Sequence, residues 1–324
     1  MRRSRIGVVG AMVAAGALLL AACGSSGNNA SGGDTSTTAK AATTASAGSC
    51  ASFKGTDSLT VGSTNFSEQE IVAELYSQCL SAAGFKVTKK FKLGAREAVL
   101  PALQNGDISL YPDYVGSLLT FLKGSPTNDS TATLAALKTA LTAKGVDVLK
   151  PAAAEDKNGF AVTKATATKY NLAKLSDLAA VSKNLVFGGP PECDTRPLCA
   201  IGLKATYGIT FKELKKLDVG GPLTKDALEG GQIDVGLILT SDGAIAARGF
   251  VLLQDDKSLQ PPENLIPVVR TAADKGDVAA LLDSISAKLT TADLSAMNKK
   301  VDIDKADPSA VATTWLQDNG FIKK

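Results

Sequence analysis

Leu59-Thr60-Val61-Gly62-Ser63-Thr64-Asn65-Phe66-Ser67-Glu68-Gln69-Glu70-Ile71-Val72 is the stretch on which the reading of the fold turns. Residues 59–62 are a short apolar run of strand character. Ser67-Glu68-Gln69-Glu70 has the spacing of a capping box, a hydroxyl at a helix start answered by a Glu three residues on. Ile71, Val72, Leu75, Cys79 and Leu80 then recur at helical spacing until Gly84 ends the element. Residues 85–91 alternate like a strand. Strand, helix and strand in succession form the repeating unit of an α/β sheet.

The unit recurs downstream. Residues 96–104 are helical in composition, with Pro101 expected to kink or restart the helix. Residues 108–111 read as a strand and 115–122 as a helix. Similar units follow at 185–187, 198–207, 226–229 and 235–239, and the end is helical over 278–289 and 310–316. A body of about 270 residues is large enough for two lobes. Ligands of such sheets sit at the carboxyl ends of the strands.

Upstream, Arg2, Arg3 and Arg5 precede an apolar run over 6–22 that ends in Leu20-Ala21-Ala22-Cys23. A basic start, a short apolar core and small residues before the cut describe a secretory signal peptide over 1–22, not a spanning helix. Cys directly after Leu-Ala-Ala resembles the bacterial lipobox, so Cys23 is the expected lipidation site; the alternative is an ordinary signal peptide followed by a Cys. Acyl chains contribute about 0.8 kcal/mol per buried methylene and hold a protein stably once two are present. No later apolar run approaches the ~20 residues that span a bilayer. Residues 23–49 hold little beyond Gly, Ser, Thr, Ala and Asn and read as a disordered tether with a span of about 25–30 Å. The expected location is extracytoplasmic, anchored to the cell membrane.

Three of the 35 Lys and Arg precede Cys23 while all 32 Asp and Glu follow it, which leaves 32 of each sign after cleavage. A neutral surface gives no reason to expect nucleic acid as a partner. Besides Cys23 there are Cys50, Cys79, Cys193 and Cys199, an even set in an oxidising compartment. Four thiols allow three connectivities; Cys193–Cys199 together with Cys50–Cys79 is favoured. The rival is a metal site, against which stand the absence of His and of any paired C-x-x-C.

Catalytic equipment is missing from the sequence. There is no His, no G-x-S-x-G, no Ser-x-x-Lys of the penicillin-binding type, no P-loop and no G-x-G-x-x-G. Paired carboxylates could run glycoside chemistry, but the acidic residues are expected on polar helix faces. The chain reads as a non-enzyme without cofactor or metal.

Three segments carry a family resemblance. They are Val61-Gly62-Ser63-Thr64-Asn65-Phe66-Ser67-Glu68-Gln69; Leu93-Gly94-Ala95-Arg96-Glu97 running on to Asn105-Gly106-Asp107-Ile108-Ser109-Leu110-Tyr111-Pro112-Asp113-Tyr114-Val115-Gly116; and Gly189-Pro190-Pro191-Glu192-Cys193-Asp194-Thr195-Arg196-Pro197, leading to Gln254-Asp255-Asp256-Lys257 and Pro261-Pro262. In this order and spacing they resemble the quaternary-ammonium-binding proteins of ABC importers, the OpuAC-type glycine betaine, choline and carnitine receptors of osmoprotectant uptake. The similarity runs from about residue 58 to the C-terminus. It implies a two-lobed class II periplasmic-binding-protein fold, with mostly parallel sheets flanked by helices and a ligand cleft between lobes. Lobe one would be 58–157 plus 264–324 and lobe two 158–263. The implied partners are a small-molecule ligand and an ABC permease with its cytoplasmic ATPase, served by a monomer.

The resemblance also implies a binding set: Thr64, Tyr114, Ser117, Asp156, Asn158, Arg196, Leu239, Thr240 and Glu263. Members that bind betaines surround the trimethylammonium group with Tyr rings, whose faces attract a cation. Tyr114 matches one cage Tyr, Ser117 a carboxylate-binding hydroxyl and Arg196 the carboxylate-binding Arg, whose planar fork suits bidentate pairing. Asn158, Leu239 and Glu263 stand where rings are usual, and Thr64 replaces a common Lys. Losing two or three rings at about 0.5–2 kcal/mol each weakens betaine binding by orders of magnitude. Glu263 could offset that by pairing with a cation or accepting hydrogen bonds, so a more polar ligand is expected. Structural readings stand beside these: Arg196 held by Asp194 or Glu192 in its own loop, Asn158 and Glu263 as surface residues near a hinge, Tyr111 and Pro112 as shapers of a turn. Two further functional classes remain open, a sensing or scavenging lipoprotein without transport and an extracytoplasmic carboxylate-dependent enzyme.

Overall fold

The structure, a computed structural model, describes residues 48–324. The expected signal peptide at 1–22, Cys23 and the expected tether as far as residue 47 lie outside the described residues. From the amino end the chain forms β1 (Ser58–Gly62), α1 (Ser67–Ala82), β2 (Lys86–Lys90), α2 (Arg96–Asn105), β3 (Leu110–Tyr114), α3 (Val115–Phe121), α4 (Ser130–Thr142) and β4 (Val146–Val148). It then builds β5 (Asn158–Thr163), α5 (Lys164–Tyr170), α6 (Leu175–Leu178), β6 (Val186–Gly189), α7 (Ala200–Tyr207), β7 (Glu213–Lys216), α8 (Pro222–Glu229), β8 (Val235–Leu239), α9 (Ala244–Ala247) and β9 (Phe250–Leu252). It closes with β10 (Leu265–Arg270), α10 (Val278–Ser286), α11 (Thr291–Asp302) and α12 (Pro308–Asp318).

Two five-stranded sheets result, ordered β2-β1-β3-β10-β4 and β7-β6-β8-β5-β9. β1 is parallel to β2 and β3, while β10 is antiparallel to both β3 and β4. In the second sheet β6 is parallel to β7 and β8, while β5 is antiparallel to both β8 and β9. Four strands of each sheet therefore share a direction and one opposes them. The reversed strands, β5 and β10, are the first that the chain lays down after each passage between sheets. The other strands deliver their carboxyl ends to the cleft, so a chain arriving there has to run away from it. The passages are paired with each other: Glu155 bridges Asn264, and the Asp156 N–H donates to the Glu263 carbonyl at 3.1 Å.

Each sheet has its own core. α1 is buried on nearly every face between its sheet and α10–α12, with Ile71, Leu75, Tyr76 and Leu80 inside. α2–α4 cover the other face through Val99, Leu103, Leu118 and Leu137. The second sheet packs Phe160, Phe187, Leu203 and Leu237 on one side and Leu228, Ile233 and Ile238 on the other. Cys50–Cys79 ties the start of the described chain to α1, and Cys193–Cys199 staples the loop before α7. This is the connectivity favoured from the sequence, and it pairs these four thiols with each other. Among the described residues no helix is long and apolar enough to cross a membrane.

Three local expectations change. The capping box at Ser67 does not form: Phe66 is the N-cap without a side-chain bond, and the Ser67 hydroxyl donates to Asp302 at 2.6 Å. Pro101 does not break α2, which runs through it as one helix; both Pro101 and Glu97, whose carbonyl loses its helical donor, are exposed. The strand expected at 108–111 lies at Leu110–Tyr114, with Pro112 inside it directly opposite Pro267.

Candidate ligand-binding site

The carboxyl ends of β1, β3, β6 and β8 and the amino ends of β5 and β10 converge on one cavity of about 100 Å³. Thr64, Tyr114, Ser117, Asp156, Asn158, Arg196, Leu239 and Glu263 line it together with Asn65, Phe66 and Arg96. Thr240 does not reach it. Its hydroxyl accepts the Lys157 N–H at 2.9 Å and donates to Asp156 Oδ1 at 3.3 Å, so it holds the first passage and Asp156 in place. A second cavity of about 250 Å³ adjoins the first and shares Ser117, Asn158, Glu192, Arg196 and Val219 with it.

Buried carboxyl groups dominate the inner wall. Glu263 is 3 % exposed, which removes the surface reading of this residue. Its Oε2 accepts the Ser117 N–H at 3.0 Å at the amino end of α3. Gly116 makes this approach workable, because a Cβ there would lie 2.7 Å from the Pro262 carbonyl. Burial pushes the Glu263 carboxyl up to about 8, against the pull of the Ser117 bond and of Arg96. Asp156 is also raised well above its ordinary value, by burial first and by the neighbouring Glu68 next. Its Oδ1 takes the Ser241 N–H at 2.9 Å, while its Oδ2 is buried without a partner. Burial likewise raises Glu68, whose oxygens accept from Tyr114 Oη, Ser241 Oγ and Asn298 Nδ2, each at 2.6 Å.

The two arginines at the cavity already have carboxylate partners. Arg96 forks onto Asp113, with Nε to Oδ2 at 3.0 Å and Nη2 to Oδ1 at 2.5 Å, and also reaches Ser117 Oγ at 2.9 Å. Burial pulls this guanidinium down, but Asp113 outweighs it and the group is pushed up. Tyr111 donates to the same Asp113 at 2.6 Å, so it fixes the ion pair from beneath as well as belonging to β3. Arg196 pairs with Glu97 of α2 at 2.8 Å rather than with Asp194 or Glu192. Its Nε is buried without a partner, and its guanidinium lies 5.7 Å from the Phe121 ring centre. Asn158 lines the cavity while its Nδ2 donates to the Leu198 carbonyl at 3.2 Å.

Phe66 and Arg96 line the cavity, and Glu68 and Asp113 hold the lining residues Tyr114 and Arg96 in place, although sequence reasoning gave none of the four a role there. All four lie in the segments that carry the family resemblance, which was the available signal.

The family model described as the substrate binding domain of ABC-type glycine betaine transport systems matches residues 57–318. The chain belongs to this OpuAC family. It is 28% identical over 286 residues to a glycine-betaine-binding protein of Pseudomonas aeruginosa, covering 84% of this chain and 91% of that one. It is also 28% identical over 280 residues to an ergothioneine transport permease/ergothioneine binding protein of Helicobacter pylori, covering 81% of this chain and 48% of that longer protein. The crystal structure of a glycine betaine/carnitine/choline ABC transporter protein superposes with a TM-score of 0.65 at 27% identity, covering 81% of this chain and 99% of that one. The OpuAC family is a solute-binding family of ABC transporters, not an enzyme class, and the α/β architecture with two sheets agrees with its two-lobed fold.

Proposed function

We propose that this chain is the extracytoplasmic receptor of an ABC importer, held on the membrane through lipidated Cys23 and the tether that follows. Lobe one, 58–157 plus 264–324, and lobe two, 158–263, close on a small molecule and hand it to a permease driven by a cytoplasmic ATPase. The observation that carries this reading is the convergence of eight residues from distant segments on one cavity between the sheets. The relative that joins permease and binding protein in its name supports the permease as partner. The chain acts as a binder and not as an enzyme.

The ligand is not a small betaine, or is one bound weakly. Only Tyr114 and Phe66 bring rings to the inner cavity, while Asp156 and Glu263 bring buried carboxyl groups. Two rings supply about 1–4 kcal/mol of cation–π attraction, well short of a full cage. A thermal-shift screen followed by isothermal titration tests the reading. Saturable binding of a polar cationic or zwitterionic solute, without turnover, is expected. Sub-micromolar binding of glycine betaine, choline or carnitine sinks the altered-ligand reading, and turnover of the bound compound sinks the receptor. Replacing Cys23 with Ala should abolish incorporation of labelled palmitate; retained label would refute the anchor.

A further inference from the structure

The inner cavity holds two buried side-chain oxygens without a partner, beside one unpaired donor, Arg196 Nε. Thr64 Oγ1, the only polar side-chain atom of that residue, is buried and has no partner; the same is true of Asp156 Oδ2. Thr64 is 9 % exposed and Asp156 4 %, and both line the cavity. Glu263 contributes a third acceptor group, with one bond from the Ser117 N–H. The cations close by cannot serve them. Arg96 is forked onto Asp113, and Arg196 gives one nitrogen, Nη2, to both oxygens of Glu97. The cavity therefore holds two carboxyl groups and a hydroxyl oxygen with open lone pairs, while each guanidinium beside them already has a carboxylate partner.

A quaternary ammonium group fills space and carries charge but offers only methyl groups to those oxygens. Buried acceptors facing methyl groups stay unsatisfied, and that lowers affinity. A protonated amine, an amidinium or a guanidinium carries the same charge with N–H donors attached. Hydrogen bonds between such a cation and a carboxylate are about twice as strong as neutral ones. The available space points the same way. About 100 Å³ suits a headgroup, and the adjoining 250 Å³ chamber leaves room for the remainder of a longer molecule.

Resting on the receptor reading above, we infer that the cationic group taken by this cavity is an N–H-bearing nitrogen rather than a fully alkylated one, with Thr64, Asp156 and Glu263 as its acceptors. The rings of Tyr114 and Phe66 bound the group instead of caging it. This makes the chain a receptor for amine- or amidine-bearing solutes built on an osmoprotectant-receptor fold.

A methylation series at constant skeleton tests the inference: 4-aminobutanoate, its mono-, di- and trimethylated forms, and 4-guanidinobutanoate, titrated calorimetrically into the full chain in mild detergent. Affinity should rise at least tenfold from the trimethylated member to the unmethylated amine or the guanidinium. Asp156→Asn should cost the N–H members at least tenfold more affinity than it costs the trimethylated one. Asp156 also holds the Ser241 N–H, so Thr64→Val provides a second variant whose hydroxyl has no other bond; it should show the same selective loss. Equal or tighter binding of the trimethylated member overturns the inference while leaving the receptor reading intact. So does a loss in both variants that is equal across the series. If no member of the series and no compound of a wider solute library binds, the receptor reading falls and takes this inference with it.

Discussion

Glu263→Gln isolates the one carboxyl group whose displacement from its ordinary range is both large and defined. Its folded-state value lies at about 8 instead of 4.5, with burial as the first cause and the Ser117 N–H and Arg96 acting in the opposite direction. For an acid raised in this way the folded protein binds the proton more tightly than the unfolded chain. Its contribution to stability is complete below about pH 4.5 and is lost as pH rises through 8. At about 1.4 kcal/mol per pH unit, the interval from 4.5 to 8 corresponds to roughly 5 kcal/mol, of which roughly 3 are gone at pH 7. Gln keeps an oxygen for the Ser117 N–H and cannot ionise. Asp156 and Glu68, also raised by burial, remain in both proteins, so the difference between the two profiles reports Glu263. Urea unfolding midpoints of both proteins at half-unit steps from pH 5 to pH 8.5 provide the assay. The variant should gain on the wild type by about 1.4 kcal/mol for each pH unit between about 5 and 7.5 and level off above about 8. Parallel profiles would refute the reasoning, because they would mean that Glu263 is solvated or paired with a cation in the folded protein.

Arg196→Ala should abolish ligand binding in calorimetry while moving unfolding stability by no more than about 1 kcal/mol, the usual worth of a pair as accessible as Arg196–Glu97; a much larger stability loss would assign Arg196 a structural role. Lys225 is almost fully buried between Asp242 at 2.6 Å and Asp302 at 2.9 Å, so Lys225→Met leaves two carboxylates without their cation and should cost about 3–5 kcal/mol in urea unfolding. A loss under 1 kcal/mol would show that water already satisfies both. Replacing Cys193 and Cys199 with Ser opens a six-residue separation worth roughly 2 kcal/mol by loop entropy. It should also weaken ligand binding, because the stapled loop presents Arg196; unchanged affinity would separate the staple from the site.

The sequence shows this site to different depths at different residues. Tyr114, Ser117, Arg196 and Glu263 are legible because each stands inside or beside a segment whose order along the chain marks the family, and the segments fall at the strand ends where α/β sheets place their ligands. Glu68 is hidden for the opposite reason. Locally it reads as the second residue of a capping box on a polar helix face. Its actual partners are Tyr114, Ser241 and Asn298, which lie far along the chain and meet only when both sheets are built. Arg96 and Asp113 are concealed in the same way, since neither spacing nor charge pattern marks a bidentate pair between the start of one helix and the end of the next strand. β2, β6 and β8 follow from alternation or short apolar runs, whereas β3 is displaced in the reading by Pro112. The reversed direction of β5 and β10 is a property of the two passages between sheets, and nothing in the local sequence of either strand records it.

Those passages tie the connections between the sheets to the proposed binding site. Asp156 and Glu263 pair through their backbones at the passage between sheets, and both send their side chains into the cavity. Thr240 braces the same strand from β8. A ligand that supplies donors to Asp156 and Glu263 therefore acts directly on the two chains that join the lobes. The remaining connections across the cleft are unequal. Ser241 and Asn298 meet on the buried Glu68, and Lys225 joins Asp242 to Asp302 with almost no exposure, whereas Arg196–Glu97 has the half-exposed Glu97 carboxylate as one member. Separating the buried groups strands charge in a low-dielectric interior; separating the exposed pair exchanges it for water at little cost. Arg196–Glu97 is thus the weakest crossing point. It lies beside the larger chamber, so on the proposed reading a solute entering there meets Arg196 before it reaches the inner carboxyl groups.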